Sequence, residues 1–108
     1  MSLSTHVLDS STGRPAAGIR VRLESSKANT WVAEAEAVTD ADGRIREFSS
    51  DGPAAGVHRL IFDTAGYFDG RPAFYPEVAV TFQITDPAEH HHVPLLLSPF
   101  AYSTYRGS

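Results

Sequence analysis

Three consecutive histidines, His90-His91-His92, stand beside the apolar run Val93-Pro94-Leu95-Leu96-Leu97, and another, His6, lies among the first ten residues. Imidazole changes charge near neutral pH, so such groups can take up a proton, give one back or ligate a metal ion. Strand geometry divides the triplet, because successive side chains on a strand point to opposite faces. His90 and His92 then share a face with Pro94 and Leu96, while His91 goes with Val93, Leu95 and Leu97. On the first segment His6 shares a face with Ser4 and Leu8, opposite Leu3, Thr5 and Val7; on the last, Ser103, Tyr105 and Gly107 lie together, opposite Tyr102, Thr104 and Arg106. If these strands are neighbours, the faces carrying His6, His92 and Tyr105 form a patch that is half apolar and half titratable. Such a patch suits a ligand site or a subunit interface.

Alternate histidines such as His90 and His92 could reach one ion, but two ligands are too few and no motif of the HExxH kind supplies a third. No metal is therefore expected. The histidines are followed by further strand-like sequence, which sets them apart from a terminal affinity tag. The residues alone leave open whether the imidazoles work chemically or are structural groups bonded to backbone. Arg44, just after Asp40-Ala41-Asp42-Gly43, reads on its own as a solvated arginine, and Tyr105 as a core or interface aromatic.

The elements that must position these side chains are short alternating segments separated by turn residues, the pattern of an all-β sandwich or barrel. Strands are expected over Leu3 to Asp9, Gly18 to Glu24, Thr30 to Thr39, Arg44 to Phe48, Val57 to Asp63, Val78 to Thr85, His91 to Leu97 and Ala101 to Tyr105. Ser10 to Pro15 and Ser49 to Gly56 read as turn and loop, and Thr64 to Arg71 as one helical turn. Seven or eight strands without repeats or linkers form a single sandwich domain over residues 1–108.

A chain of 108 residues holds one core but is short for a deep pocket of its own, so chemistry would be expected between subunits. With 13 acidic against 9 basic side chains, a formal charge of −4 and no basic block, nucleic acid and anionic membranes are not expected partners. No cysteine is present, which excludes thiol nucleophiles and cysteine zinc sites. The first residues lack the apolar run of about 7–15 residues of an export signal, and nothing approaches the roughly 20 apolar residues of a membrane span. A cytoplasmic protein is expected.

Three stretches, LSTHVLDSSTGRPAAGIRVRL at 3–23, TDADGRI at 39–45 and HHVPLLLSPFAYSTYRGS at 91–108, resemble the transthyretin-related 5-hydroxyisourate hydrolases of purine catabolism. GVHRLIFDT and FYPEV are similar in place and character, and the remainder of 24–38 and 46–75 is looser. The resemblance implies a transthyretin-like β-sandwich of seven to eight strands in two sheets with one short helix, assembled as a homotetramer with sites where subunits meet. It implies cofactor-free hydrolysis of the cyclic amide of 5-hydroxyisourate, the product of urate oxidation, to 2-oxo-4-hydroxy-4-carboxy-5-ureidoimidazoline. Carried onto this chain, the catalytic residues are His6, Arg44 and His92, and the closing Tyr105-Arg106-Gly107-Ser108 brings Tyr105 and Ser108 to the substrate. His6 and His92 would exchange protons with water and the departing nitrogen, and Arg44 would hold the carbonyl edge and its developing charge. A covalent route through Ser103 or Ser108 is not expected, since no serine shows triad spacing. His91 stands where tyrosine is common in the family, and Ala101 where glycine is; residue 91 should face away from the site. Two other readings are a non-catalytic small-molecule carrier on the same sandwich and a monomeric immunoglobulin-like interaction module.

Overall fold

The computed structural model describes residues 2–48 and 52–108, so part of the loop expected over Ser49 to Gly56 lies outside the described residues. Among the described residues there are nine strands and one short helix: β1 (Ser2–Asp9), β2 (Arg14–Pro15), β3 (Arg20–Lys27), β4 (Thr30–Val38), β5 (Arg44–Ile45), β6 (Gly56–Phe62), α1 (Thr64–Phe68), β7 (Val78–Ile84), β8 (His90–Ser98) and β9 (Ala101–Thr104). One sheet runs β2-β1-β8-β9, with β5 also paired to β1, and the other runs β4-β3-β6-β7. The two inner faces bury Leu3, Val7, Val93, Leu95 and Leu97 against Val21, Leu23, Leu60, Phe62 and Val78. No described helix is long and apolar enough to cross a membrane.

The extra strands are short and share one edge. β2 pairs with β1 at Leu8 and Asp9, and β5 pairs with it at Thr5 and His6. The strand expected over Arg44 to Phe48 is thus reduced to two residues, and Arg14–Pro15, expected as turn, is the other two-residue piece. The other side of β1 is occupied along its whole length by β8 in a parallel ladder, Ser2 opposite His90 through Asp9 opposite Leu97.

A tight turn sets β5 against β1. The Asp40 carboxylate accepts the backbone N–H groups of Asp42 (2.8 Å) and Arg44 (3.0 Å), and the Arg44 amide bond holds its pKa below the usual value against some desolvation. Gly43 adopts a left-handed φ of 74°, and a Cβ there would run into the Val7 carbonyl oxygen. In return Val7 N–H donates to Gly43 O at 2.8 Å. On the other side of the domain, buried Asp9 accepts from Tyr67 Oη (2.7 Å) and from both Ser11 N–H and Oγ, tying α1 to the end of β1.

Gly43→Ala should therefore lower the unfolding free energy by at least about 1–2 kcal/mol, the cost of a left-handed alanine, before any clash is counted. Urea titration measures it, and an unshifted midpoint would mean that the turn relaxes freely.

Candidate active site

The face of β1 and β8 turned away from the core carries the site. In the parallel register Ser4 lies opposite His92 and His6 opposite Pro94, so the pleat directs Ser4, His6, His90 and His92 outward. His91 turns inward and is 7% exposed, with its Nδ1 at 3.0 Å from Glu89 O. The division of the triplet expected from strand parity is what is observed.

A cleft of about 250 Å³ is lined by Ser4, Arg44, Arg46, His90, His92 and Ser108, with Thr5 and Ile45 at its floor. Of the five expected site residues, three line it, and they come from three separated segments: Arg44 from β5, His92 from β8 and Ser108 from the closing residues. His6 sits directly opposite Arg44 in the β1–β5 register and is half-buried, but it is not among the residues that line the cleft. Tyr105 is placed elsewhere. It lines a second cavity of about 280 Å³ with Phe82, His91 and Thr104, which His92 borders from its other side.

Pro94 explains the position of Tyr105. The antiparallel register that pairs Leu95 with Thr104 would put Tyr105 opposite Pro94, which has no N–H to donate. The Thr104 hydroxyl instead donates to Pro94 O at 2.6 Å, β9 ends there, and Tyr105 and Arg106 leave the ladder. The chain rejoins it one step on, where Gly107 bridges to His92 and its N–H donates to His92 O at 2.9 Å. Gly107 lies flat on the imidazole: a Cβ there would collide with His92 Cδ2 and come within 3.2 Å of its Cγ and of Pro94 Cγ. Glycine at this position lets the backbone close over the ring and deliver Ser108 to the cleft.

Ser4, Arg46 and His90 line the cleft without a role assigned from sequence. Ser4 Oγ is 2.8 Å from His92 Nδ1 and 3.0 Å from His90 Nε2, and Ser2 Oγ bonds His90 Nδ1. Parity already placed Ser4 beside His6; what it lacked was the partner strand. Among the described residues His92 Nε2 has no hydrogen bond, and no buried polar side-chain atom is without a partner. Nε2 therefore keeps some exposure to solvent.

Burial depresses the His92 pKa below the ordinary imidazole value, and the positive charges of Arg44, His90 and His6 push it further down. Its neutral form, the one that can accept a proton, persists to lower pH than that of a free histidine. The folded chain binds this proton less readily than the unfolded one, so His92 disfavours folding only as pH falls through the ordinary histidine range and has no such effect above it. Among the described residues no group of three or more His, Cys, Asp or Glu side chains is gathered so as to hold a metal ion.

A small two-sheet sandwich with an outward cleft of imidazole, guanidinium and hydroxyl groups defines a protein equipped for proton transfer and for holding a carbonyl or an oxyanion. The sequence pattern of the HIUase/Transthyretin family matches residues 3–107, and this chain belongs to that family. It is 49% identical over 109 residues to 5-hydroxyisourate hydrolase of Salmonella typhimurium, covering 98% of this chain and 80% of that protein. The solved 5-hydroxyisourate hydrolase of Klebsiella pneumoniae matches with a TM-score of 0.89 at 40% identity, covering all of both chains. Sea bream transthyretin, solved in complex with thyroxine, matches with a TM-score of 0.90 at 33% identity, covering 99% of this chain and 95% of that one.

In an NMR titration His92 is expected to protonate at lower pH than an exposed histidine. Arg44→Gln should raise that midpoint by part of the gap, with burial holding the rest. A midpoint at the ordinary value in the unaltered protein would show that the cleft does not disfavour charge.

Proposed function

We propose that this chain hydrolyses the cyclic amide of 5-hydroxyisourate to 2-oxo-4-hydroxy-4-carboxy-5-ureidoimidazoline, in urate degradation, with its own side chains and no cofactor. The observation that carries the reading is the convergence of Arg44, His92 and Ser108 on one cleft, with His6 opposite Arg44, in a chain 49% identical to a hydrolase of that name. Amide hydrolysis needs an activated water, a partner for the developing oxyanion and a proton for the leaving nitrogen. His92 takes the first role: it is neutral near pH 7, it lines the cleft, and its Nδ1 is bonded by Ser4, which leaves Nε2 for the water. Arg44 stays charged at any working pH and presents a planar fork of donors to the carbonyl edge. His6, opposite Arg44 across β1 and β5, holds the ring nitrogen by a hydrogen bond while His92 returns the proton to it. Ser108 orients the ring at the mouth of the cleft. Tyr105 acts through the cavity behind His92, as a wall to that imidazole.

The active form in this reading is a cytoplasmic homotetramer with the clefts at subunit interfaces. Support comes from the outward placement of the site and from exposed apolar side chains on the same protein, Phe74 (69%) and Phe100 (65%) among them. The likeness to thyroxine-bound transthyretin favours a second reading, a carrier on the same sandwich, because the fold is shared equally with both activities.

The test is the decay of 5-hydroxyisourate generated in situ by urate oxidase. His92→Ala should slow enzymatic decay by about 10²–10⁴-fold, Arg44→Ala by about 10²–10³-fold, and His6→Ala should also slow it, each with an unchanged circular dichroism spectrum. EDTA should have no effect. Decay no faster than the spontaneous background with the unaltered protein, together with tight binding of an aromatic hormone analogue, would favour the carrier.

A further inference from the structure

Ser4 sits between the two outward histidines of β8, within hydrogen-bond distance of His90 Nε2 and of His92 Nδ1, while Ser2 contacts the far nitrogen of His90. A hydroxyl has one proton, so Ser4 donates to one imidazole and accepts from the other. The four groups therefore make one chain with two polarities. In one, His92 donates from Nδ1 to Ser4, Ser4 donates to His90 Nε2, and His92 Nε2 keeps its lone pair. In the other, every bond is reversed and Nε2 carries the proton.

The two imidazoles, 6.4 Å apart and nearly parallel at 17°, differ in surroundings. His92 is half-buried, and the charged or titratable groups that face it are His6 from β1, Arg44 and Arg46 from the β5 segment, His90 from its own strand and Ser108. His90 is exposed to water. A positive charge is therefore less costly on His90 than on His92, by its solvation and because the register sets His90 opposite Ser2, further along β1 from Arg44's partner His6 than His92's partner Ser4.

We propose that Ser4 and His90 form a proton reservoir for the hydrolysis, Ser4 as carrier and His90 as store; the inference rests on the hydrolase reading above. As water attacks the carbonyl carbon, its O–H bond breaks and the proton goes to His92 Nε2. The proton on Nδ1 passes to Ser4 Oγ, and the proton of Ser4 passes to His90 Nε2. His92 is left neutral with its proton on Nε2, and the positive charge rests on His90 at the surface. When the ring C–N bond breaks, the Nε2 proton goes to the departing nitrogen. As that proton leaves, His90 returns its proton to Ser4 and Ser4 gives its own to His92 Nδ1, so that His92 stays neutral throughout. No proton is gained or lost over the cycle, and the starting polarity is restored. Ser4 and His90 are thus positioning residues that act through His92.

The experiment compares the unaltered protein with Ser4→Ala, Ser4→Thr and His90→Gln in the urate oxidase-coupled assay, at several D₂O fractions. Ser4→Ala and His90→Gln should lower kcat on the order of 10- to 100-fold, the usual cost of removing the partner of a working imidazole, with KM little changed. Ser4→Thr keeps the hydroxyl and should recover most of the rate. Glutamine at 90 can still hydrogen-bond Ser4 but cannot store a proton, so a merely structural role would leave its kinetics intact. The rate of the unaltered protein should fall along a curve with D₂O fraction, and that of His90→Gln along a straight line. His90→Gln at full kcat with the same curve, or Ser4→Thr as slow as Ser4→Ala, would overturn the reservoir. An unaltered protein no faster than background would overturn the hydrolase reading and this inference with it.

Discussion

Parallel pairing of β1 with β8 is the constraint on which the site depends. It brings together residues about ninety positions apart and sets Ser4 opposite His92. Because side chains alternate with a period of two, a slip of β1 by one residue against β8 would carry His6 into the core and turn Val7 out to water. The register is held by burial: Leu3, Val7, Leu95 and Leu97 are each at most 1% exposed, and the Thr5 hydroxyl donates to Val93 O at 2.6 Å between them. The core thus positions the catalytic face, and the two are the opposite sides of one ladder.

Electrostatics at the cleft run against the charge of the whole chain. The net charge is −4, yet several of the acidic groups are engaged on the other sheet, where Glu24 is bonded by Arg22 at 2.7 Å and Arg59 at 2.6 Å, and Glu34 by Lys27 at 3.1 Å. Burial raises the Glu24 pKa, but the two guanidinium bonds outweigh it and leave the carboxylate ionised. The cleft itself gathers Arg44, Arg46, His90 and His92 around one opening, with His6 opposite Arg44 in the neighbouring ladder. Burial and these positive neighbours keep His92 neutral, as the proposed base must be, and the same positive charge suits an oxyanion. One arrangement of charge serves both needs.

Much of this was legible in the sequence because pleat parity is local. The separation of His91 from His90 and His92, the outward placement of His6, and the all-β sandwich with a short helix at Thr64–Phe68 all follow from alternation and turn residues. What was not legible depended on partners distant in sequence. Nothing near Ser4 announces that β8 lies beside it, so its bridge between two histidines needed the fold. Arg44 reads as a surface residue until the Asp40–Gly43 turn is seen pressed against Val7. Tyr105 departs from the alternation of its own strand because Pro94, across the ladder, cannot donate. Resemblance to known hydrolases named His6, Arg44, His92, Tyr105 and Ser108; the fold brings Arg44, His92 and Ser108 to one cleft and sets His6 opposite Arg44.

If neutral His92 is the base, kept neutral by burial and by Arg44, its titration sets the acid limb of kcat/KM against pH, which reports the free enzyme's essential base. The midpoint of that limb should then lie below about 6.5, the ordinary value for histidine, with activity retained above it. A midpoint at or above that value, or activity that rises as the pH is lowered through it, would rule out His92 in that role.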